Sequence, residues 1–204
     1  MKVTIVIKTL NEELNIEKCL KSVISELKTI EGGEIILVDS LSEDKTIEIS
    51  RKYPIKIIQL EDKKDRTCSV GPYLGYINSK YNFIYIIDGD MIFKKGFLKK
   101  ACEIISNEKI AAVGGLMDEP FSGNLISKKY QEKKQKTGEV DYLDGGGLYR
   151  KKIIDEIGFL TNPYLYGNEE SDIGFRIRQK GYKIIRIPDI AFVHIRDKKS
   201  SLNE

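Results

Sequence analysis

Along the first half of the chain, short β-branched apolar runs alternate with segments whose apolar residues recur at helical spacing, a pattern that few architectures accommodate. Strands joined through helices run parallel, so the pattern predicts βαβ units and an α/β fold: a Rossmann-like, mostly parallel sheet flanked by helices. Strands are predicted at residues 3–7, 34–38, 55–59, 83–87 and 111–116, apolar on both faces as strands covered on both sides must be. Between the first two strands, Ile16, Cys19, Leu20, Val23, Ile24 and Leu27 form one helical stripe, with Glu17, Lys18, Lys21 and Glu26 expected on the solvent face. Phe97, Leu98, Ala101, Cys102, Ile104 and Ile105 repeat that stripe after the fourth strand. From 117 to 140 the rhythm is lost in a polar, lysine-rich stretch broken by Pro120, Gly123 and Gly138, which reads as an excursion. Patterning resumes at 142–149, in a helix at 169–180, and in β-type runs at 182–187 and 191–195. The 204 residues predict one domain, 1–204, with a nucleotide-type α/β half at 1–116 and a smaller, irregular half at 117–204 whose loops are expected to build a second substrate site, the acceptor side under the resemblance given below.

Composition narrows the function. Lys and Arg total 34 against 31 Asp and Glu, too even a balance for a nucleic-acid binder that works through a broad positive field. Lysine pairs such as Lys94-Lys95, Lys128-Lys129 and Lys198-Lys199 read as solvated surface and leave peripheral membrane contact open. No apolar run approaches the roughly 18 residues of a membrane span, and the amino-terminal stretch lacks a secretory pattern, so a cytoplasmic chain is expected. Cys19, Cys68 and Cys102 show no CxxC spacing and are expected as reduced, mostly buried thiols.

In open parallel sheets, ligands bind beyond the carboxyl ends of the strands. There the chain places Lys8-Thr9-Leu10-Asn11-Glu12, Asp39-Ser40 and Asp88-Gly89-Asp90. Asn11 can equally cap the first helix, and Asp39 with Ser40 can open an Asx turn. Asp88 and Asp90 follow a strongly apolar strand, and two carboxylates around a glycine suit one hard divalent cation, Mn2+ or Mg2+, bridging to a diphosphate. A second acidic group, Glu169, Glu170 and Asp172, either complements a helix amino terminus or supplies a general base. His194, the only histidine, is a structural residue or an imidazole ligand. No GxxxxGK[ST] or GxGxxG loop occurs, which removes support for kinase-like and dehydrogenase-like chemistry.

Taken in order, "VTIVIKTLNEELNIEKCLKSV", "EIILVDSLSEDKT", "YNFIYIIDGDMIF", "YLDGGGLYRKKIIDEIGF", "GNEESDIGFRIRQKGYKIIRIP" and "VHIRDKKS" resemble glycosyltransferase family 2, inverting nucleotide-sugar-dependent enzymes of the GT-A fold. The resemblance runs from about residue 3 to residue 200. It implies transfer of a sugar from a nucleotide-sugar donor, expected to be UDP-linked, to a hydroxyl of a glycan or lipid-linked acceptor, in polysaccharide or glycoconjugate synthesis. It implies that Thr9 and Glu12 touch the nucleotide and that Asp39 reads the pyrimidine. Asp88 and Asp90 match the DxD motif and His194 a late histidine near the metal. Gly145 and Gly146 match a turn bordering the acceptor, and Glu169-Glu170 matches the ED motif, whose second carboxylate is the base.

Two departures stand out. The family's base is usually aspartate, and the extra methylene of Glu170 moves the carboxylate outward, which keeps Glu169 and Asp172 as alternatives. An Ala-Arg-Asn-x-Gly run common before the fourth strand is replaced by Gly71-Pro72-Tyr73-Leu74-Gly75, so its arginine is absent. Arg66, Lys63 or Lys64 are then the candidates to restore positive charge near the phosphates. These departures motivate an alternative, a catalytically inactive sugar-nucleotide or glycan-binding module on the same fold. Relatives often continue into helices that dimerise or reach the inner face of the membrane, which leaves a homodimer open.

Overall fold

The computed structural model describes residues 1–118 and 136–195. Most of the 117–140 excursion and the end of the last motif lie outside these residues. One nine-stranded mixed sheet runs through the molecule. Its strands are β1 (Val3–Thr9), β2 (Gly33–Asp39), β3 (Lys56–Gln59), β4 (Phe83–Asp88), β5 (Met91–Phe93), β6 (Ile110–Asp118), β7 (Gly138–Glu139), β8 (Gly147–Arg150) and β9 (Lys183–His194). The spatial order is β3-β2-β1-β4-β8-β6-β9-β5, with β7 alongside β9.

β3, β2, β1 and β4 form the predicted parallel array. The fifth predicted strand does not join it directly, because β8 enters antiparallel between β4 and β6. The two β-type runs at 182–187 and 191–195 prove to be one strand, β9, whose pairing with β6 shifts register near Gly114 and Leu116. Those irregularities carry Pro188 through the strand and obscured its continuity in the sequence. The three-residue β5 was too short to leave a periodic signal.

Helices cover both faces. α1 (Ile16–Leu27) and α4 (Phe97–Ile105) pack on one side, where Ile5, Ile7, Leu20, Val23, Tyr85 and Leu98 join one core. α3 (Val70–Ile77), α5 (Lys151–Glu156) and α6 (Glu169–Gln179) lie with the second core around Val6, Ile36, Ile84, Ile153 and Ile177, and a short α2 (Thr46–Ser50) adjoins α1. Each fully buried aliphatic side chain contributes about 1.5–3 kcal/mol, so the two apolar faces of the sheet dominate the fold. Glu26 corrects the sequence reading: it is 1% exposed rather than on the solvent face. Its carboxylate accepts from the backbone N–H of Gly96 (2.7 Å) and Leu98 (3.0 Å), capping α4 and so tying it to α1.

Candidate functional site

Parallel register brings the ends of β1, β2 and β4 together, with Thr9 opposite Asp39 and Lys8 opposite Asp88. Beyond them opens a cleft of about 410 Å³ whose walls include Thr9, Glu12, Ser40, Arg66, Asp88 and Asp90. Gly89 lets the β4 turn close on the β1 loop, because a Cβ there would come within 2.7 Å of Thr9 Cγ2.

Asp39 lies behind the cleft wall, fully buried. Its carboxylate accepts from Thr9 Oγ1 (3.3 Å), Ser42 N (2.9 Å), Ser42 Oγ and Gln59 Nε2 (3.1 Å), which fills its acceptor capacity. Leu41, in this turn, has φ +61. Arg66 holds the turn from the cleft side, donating from Nε to Ser40 O (2.7 Å) and from Nη2 to Leu41 O (2.6 Å). Lys63 pairs with Glu43, and Lys64 with Asp62 at 2.9 Å. Of the three cations expected near the phosphates, only Arg66 borders the cleft.

The opposite wall is acidic. Lys8 Nζ sits 3.1 Å from Asp88 Oδ1, and Asp88 holds the ammonium protonated well above its ordinary range. Burial pushes the Asp88 carboxyl up, with Lys8 opposing. The antiparallel pairing of β5 with β9 sets His194 beside Asp90, with Nε2 2.7 Å from Asp90 Oδ2. Glu12, which accepts from Asn15 Nδ2 at 3.0 Å, is pushed up to about 7, chiefly by burial, and Asp90 and Asp88 add to the rise.

These groups suit a divalent ion. Asp90 Oδ1 is buried and, among the described residues, has no hydrogen-bond partner, as expected of an oxygen reserved for a cation. Among the described residues no three His, Cys, Asp or Glu side chains form a closed ligand set. Magnesium-like ions match such a partial set, since they bind through one or two carboxylates and complete their shell with water and substrate phosphates.

Beside the cleft lies a cavity of about 30 Å³, bordered by Gly145, Gly146, Tyr149, Glu169 and Glu170. Glu169 and Glu170 open α6 after Asn168, which has φ +61. Burial pushes the Glu170 carboxyl above its ordinary range and Glu169 adds to the rise, whereas Lys8 opposes it. Gly146 has φ +152, and a Cβ there would come 2.7 Å from Ile86 O, so the turn passes flat against β4. Behind that turn, Arg186, 4% exposed, donates from Nη2 to Asp144 Oδ2 at 2.6 Å. Asp172 is drawn away from both cavities and borders neither, since its Oδ2 accepts from Arg176 Nε (3.0 Å) and Nη2 (2.7 Å).

Cys68 departs from expectation. Cys19 and Cys102 are buried, but Cys68 is exposed in the cleft, its thiol donating to Tyr166 O at 3.3 Å. Thr67 Oγ1 to Pro163 O (2.7 Å) and Thr161 Oγ1 to Ser69 O (2.9 Å) complete a fastening of residues 161–166 onto 67–69. Sequence reasoning passed over Tyr166 and Gln59, and placed Lys8 at the strand end without giving it a role. Lys8 left a signal, as the one charged residue of β1, directly after the apolar run Ile5-Val6-Ile7.

A sequence model of glycosyl transferase family 2 matches residues 4–158. The chain belongs to that family. Among its family 2 relatives, the dolichol-phosphate mannosyltransferase of Pyrococcus furiosus is 30% identical over 92% of this chain and 56% of its own length. A dolichyl N-acetyl-α-D-glucosaminyl phosphate 3-β-D-2,3-diacetamido-2,3-dideoxy-β-D-glucuronosyltransferase from Methanococcus voltae is 25% identical over 92% of this chain and 65% of its own length. The chain thus spans less than two thirds of these curated relatives. Its GT-A fold is also that of Staphylococcus aureus TarS 1-349 (TM-score 0.75, 19% identity, 95% of this chain and 60% of that one). The mannosyltransferase PcManGT of Pyrobaculum calidifontis, solved with GDP-Man and Mn2+, shares it too (TM-score 0.76, 18% identity, 97% of this chain and 58% of that one). Among the described residues, no helix is long and apolar enough to cross a membrane.

Proposed function

We propose that this family 2 chain transfers a sugar from a nucleoside-diphosphate sugar, UDP-linked by expectation, to a hydroxyl of a lipid-linked or glycan acceptor with inversion at the anomeric carbon. One observation carries the reading: the Asp88/Asp90 cleft and the Glu169/Glu170 cavity share Lys8 in their walls, which sets a diphosphate site beside a base. In this reading residues 1–116 bind the donor and the later segments border the acceptor. Dolichol-phosphate chemistry in two relatives' names supports a lipid-linked acceptor, handled at a membrane's inner face.

Asp90, with His194 beside it and Asp88 across the turn, would hold the divalent ion. When bound, such an ion neutralises charge on the diphosphate. Thr9, Glu12 and Arg66 border the nucleotide, and Asp39, already saturated, acts by fixing the Ser40 to Ser42 turn against the base. Glu170 accepts the acceptor's hydroxyl proton as its oxygen bonds to the anomeric carbon. The carbon–phosphate oxygen bond breaks on the opposite face, and its electron pair leaves with the nucleoside diphosphate. Gly145 and Gly146 keep the turn close enough for the acceptor to reach Glu170.

The test is a thermal-shift screen of UDP- and GDP-sugars with Mn2+, Mg2+ or chelator, followed by transfer assays on Glu170→Gln. Metal-dependent stabilisation by one nucleotide, and at least about 10³-fold slower transfer by Glu170→Gln with donor affinity retained, are expected. Stabilisation without transfer to any acceptor overturns the enzymatic reading in favour of a binding module. Full activity of Glu170→Gln overturns the assignment of the base.

A further inference from the structure

Lys8 borders both cavities, and among the described residues no other is common to their linings. It is the penultimate residue of β1, so a rigid strand inside the parallel array sets its position. The side chain is 27% exposed, and among the described residues its ion-pair partner is Asp88. An ammonium carries three donors, and a single carboxylate oxygen 3.1 Å away occupies at most one of them.

The cations expected from the sequence are engaged elsewhere: Lys63 with Glu43, Lys64 with Asp62, and Arg66 with two carbonyls of the β2 turn. α3 supplies no cation from its first turn and instead packs glycine against the lysine stem. A Cβ at Gly71 would stand 3.0 Å from Lys8 Cβ, closer than ordinary packing allows. Arg66 stays at the cleft wall, and β1 brings a second positive charge to the point where the donor cleft meets the Glu170 cavity.

We propose that Lys8 is a catalytic residue that donates from its ammonium to the phosphate oxygen bearing the sugar of a nucleoside-diphosphate sugar. The proposal rests on the transferase reading above. As the bond between that oxygen and the anomeric carbon breaks, the electron pair stays on the phosphate oxygen and its negative charge grows. Lys8 keeps its proton throughout. A fixed cation at this point binds the transition state more strongly than the ground state, so its loss falls on kcat more than on donor affinity. A lysine that only neutralised Asp88 would lack this asymmetry.

The experiment uses the full chain with whichever of UDP-N-acetylglucosamine and GDP-mannose stabilises the wild type. Donor dissociation constants by calorimetry are set beside kcat for Lys8→Met, Lys8→Arg and Lys8→Ala, the last with and without ethylammonium. The expected result is a kcat about 10²- to 10³-fold lower in Lys8→Met, with donor affinity changed less than about tenfold. Ethylammonium should restore at least about tenfold of the Lys8→Ala rate, and tetraethylammonium, which has no N–H, none. A kcat for Lys8→Met within threefold of wild type overturns the proposal, as do equal losses in kcat and affinity or a rate indifferent to ethylammonium. If Lys8→Met does not fold, Lys8→Arg decides: it keeps the charge but displaces it, and a kcat within threefold of wild type overturns the proposal. An active wild type with indifferent variants removes this inference alone. A wild type that binds no nucleoside diphosphate removes the transferase reading with it.

Discussion

The ends of β2 and β4 carry the same chemical group in opposite states. Asp39 is buried and satisfied by Thr9, Ser42 and Gln59, whereas Asp90 is held on one oxygen by His194 and keeps the other buried without a partner among the described residues. Leaving a buried acceptor unmade costs about 1–3 kcal/mol, which a fold tolerates where a ligand later recovers it. The satisfied carboxylate builds the cleft, and the unsatisfied one waits for what enters.

The contrast breaks most sharply at Asp90. Asp90→Ala is expected to weaken metal-dependent nucleotide binding by at least about 100-fold in calorimetry while leaving the melting temperature without ligand nearly unchanged. Asp39→Ala should do the reverse, lowering stability by about 3 kcal/mol in denaturant titrations, because four donors, three side chains and one backbone amide, lose a buried acceptor. Equal effects of the two substitutions on stability would erase the distinction. Arg66→Ala, which releases the carbonyls of Ser40 and Leu41, is expected to cost about 1–2 kcal/mol and to weaken donor binding several-fold.

The smallest effect is a pH slope. Glu12 titrates at about 7 in the folded chain against an ordinary 4.5. Between those values the folded chain holds a proton that the unfolded chain has released, so stability falls as pH rises through the window. Asp88 and Glu170, both raised, contribute with the same sign. Glu12→Gln should flatten the melting temperature between pH 4.5 and 7 without abolishing the slope, and an unchanged profile would reassign it to the other two.

What the sequence revealed followed from local periodicity. The parallel strands, the α1 and α4 stripes and the acidic turn at 88–90 each announce themselves within a few residues. What it hid depends on partners distant in the chain. The antiparallel entry of β8 beside β4 joins residues some sixty positions apart. Glu26 looks like a surface glutamate until α4 arrives to be capped. Asp39 and Asp90 are equally plausible ligands as letters, and only Gln59 and His194, brought in from other strands, separate them. Asp172 fits a base by spacing alone, yet Arg176, one turn along α6, engages it.

The place of β8 has a consequence for assembly. With β8 wedged between β4 and β6, and β6 paired along most of its length to β9, the first 116 residues cannot complete their own sheet. A fragment ending there would leave β4 and β6 with bare edges, open to pairing with other chains. The parallel array is therefore expected to wait for β8 and β9, so that the two halves of the sheet form in a single cooperative event rather than as modules added in turn.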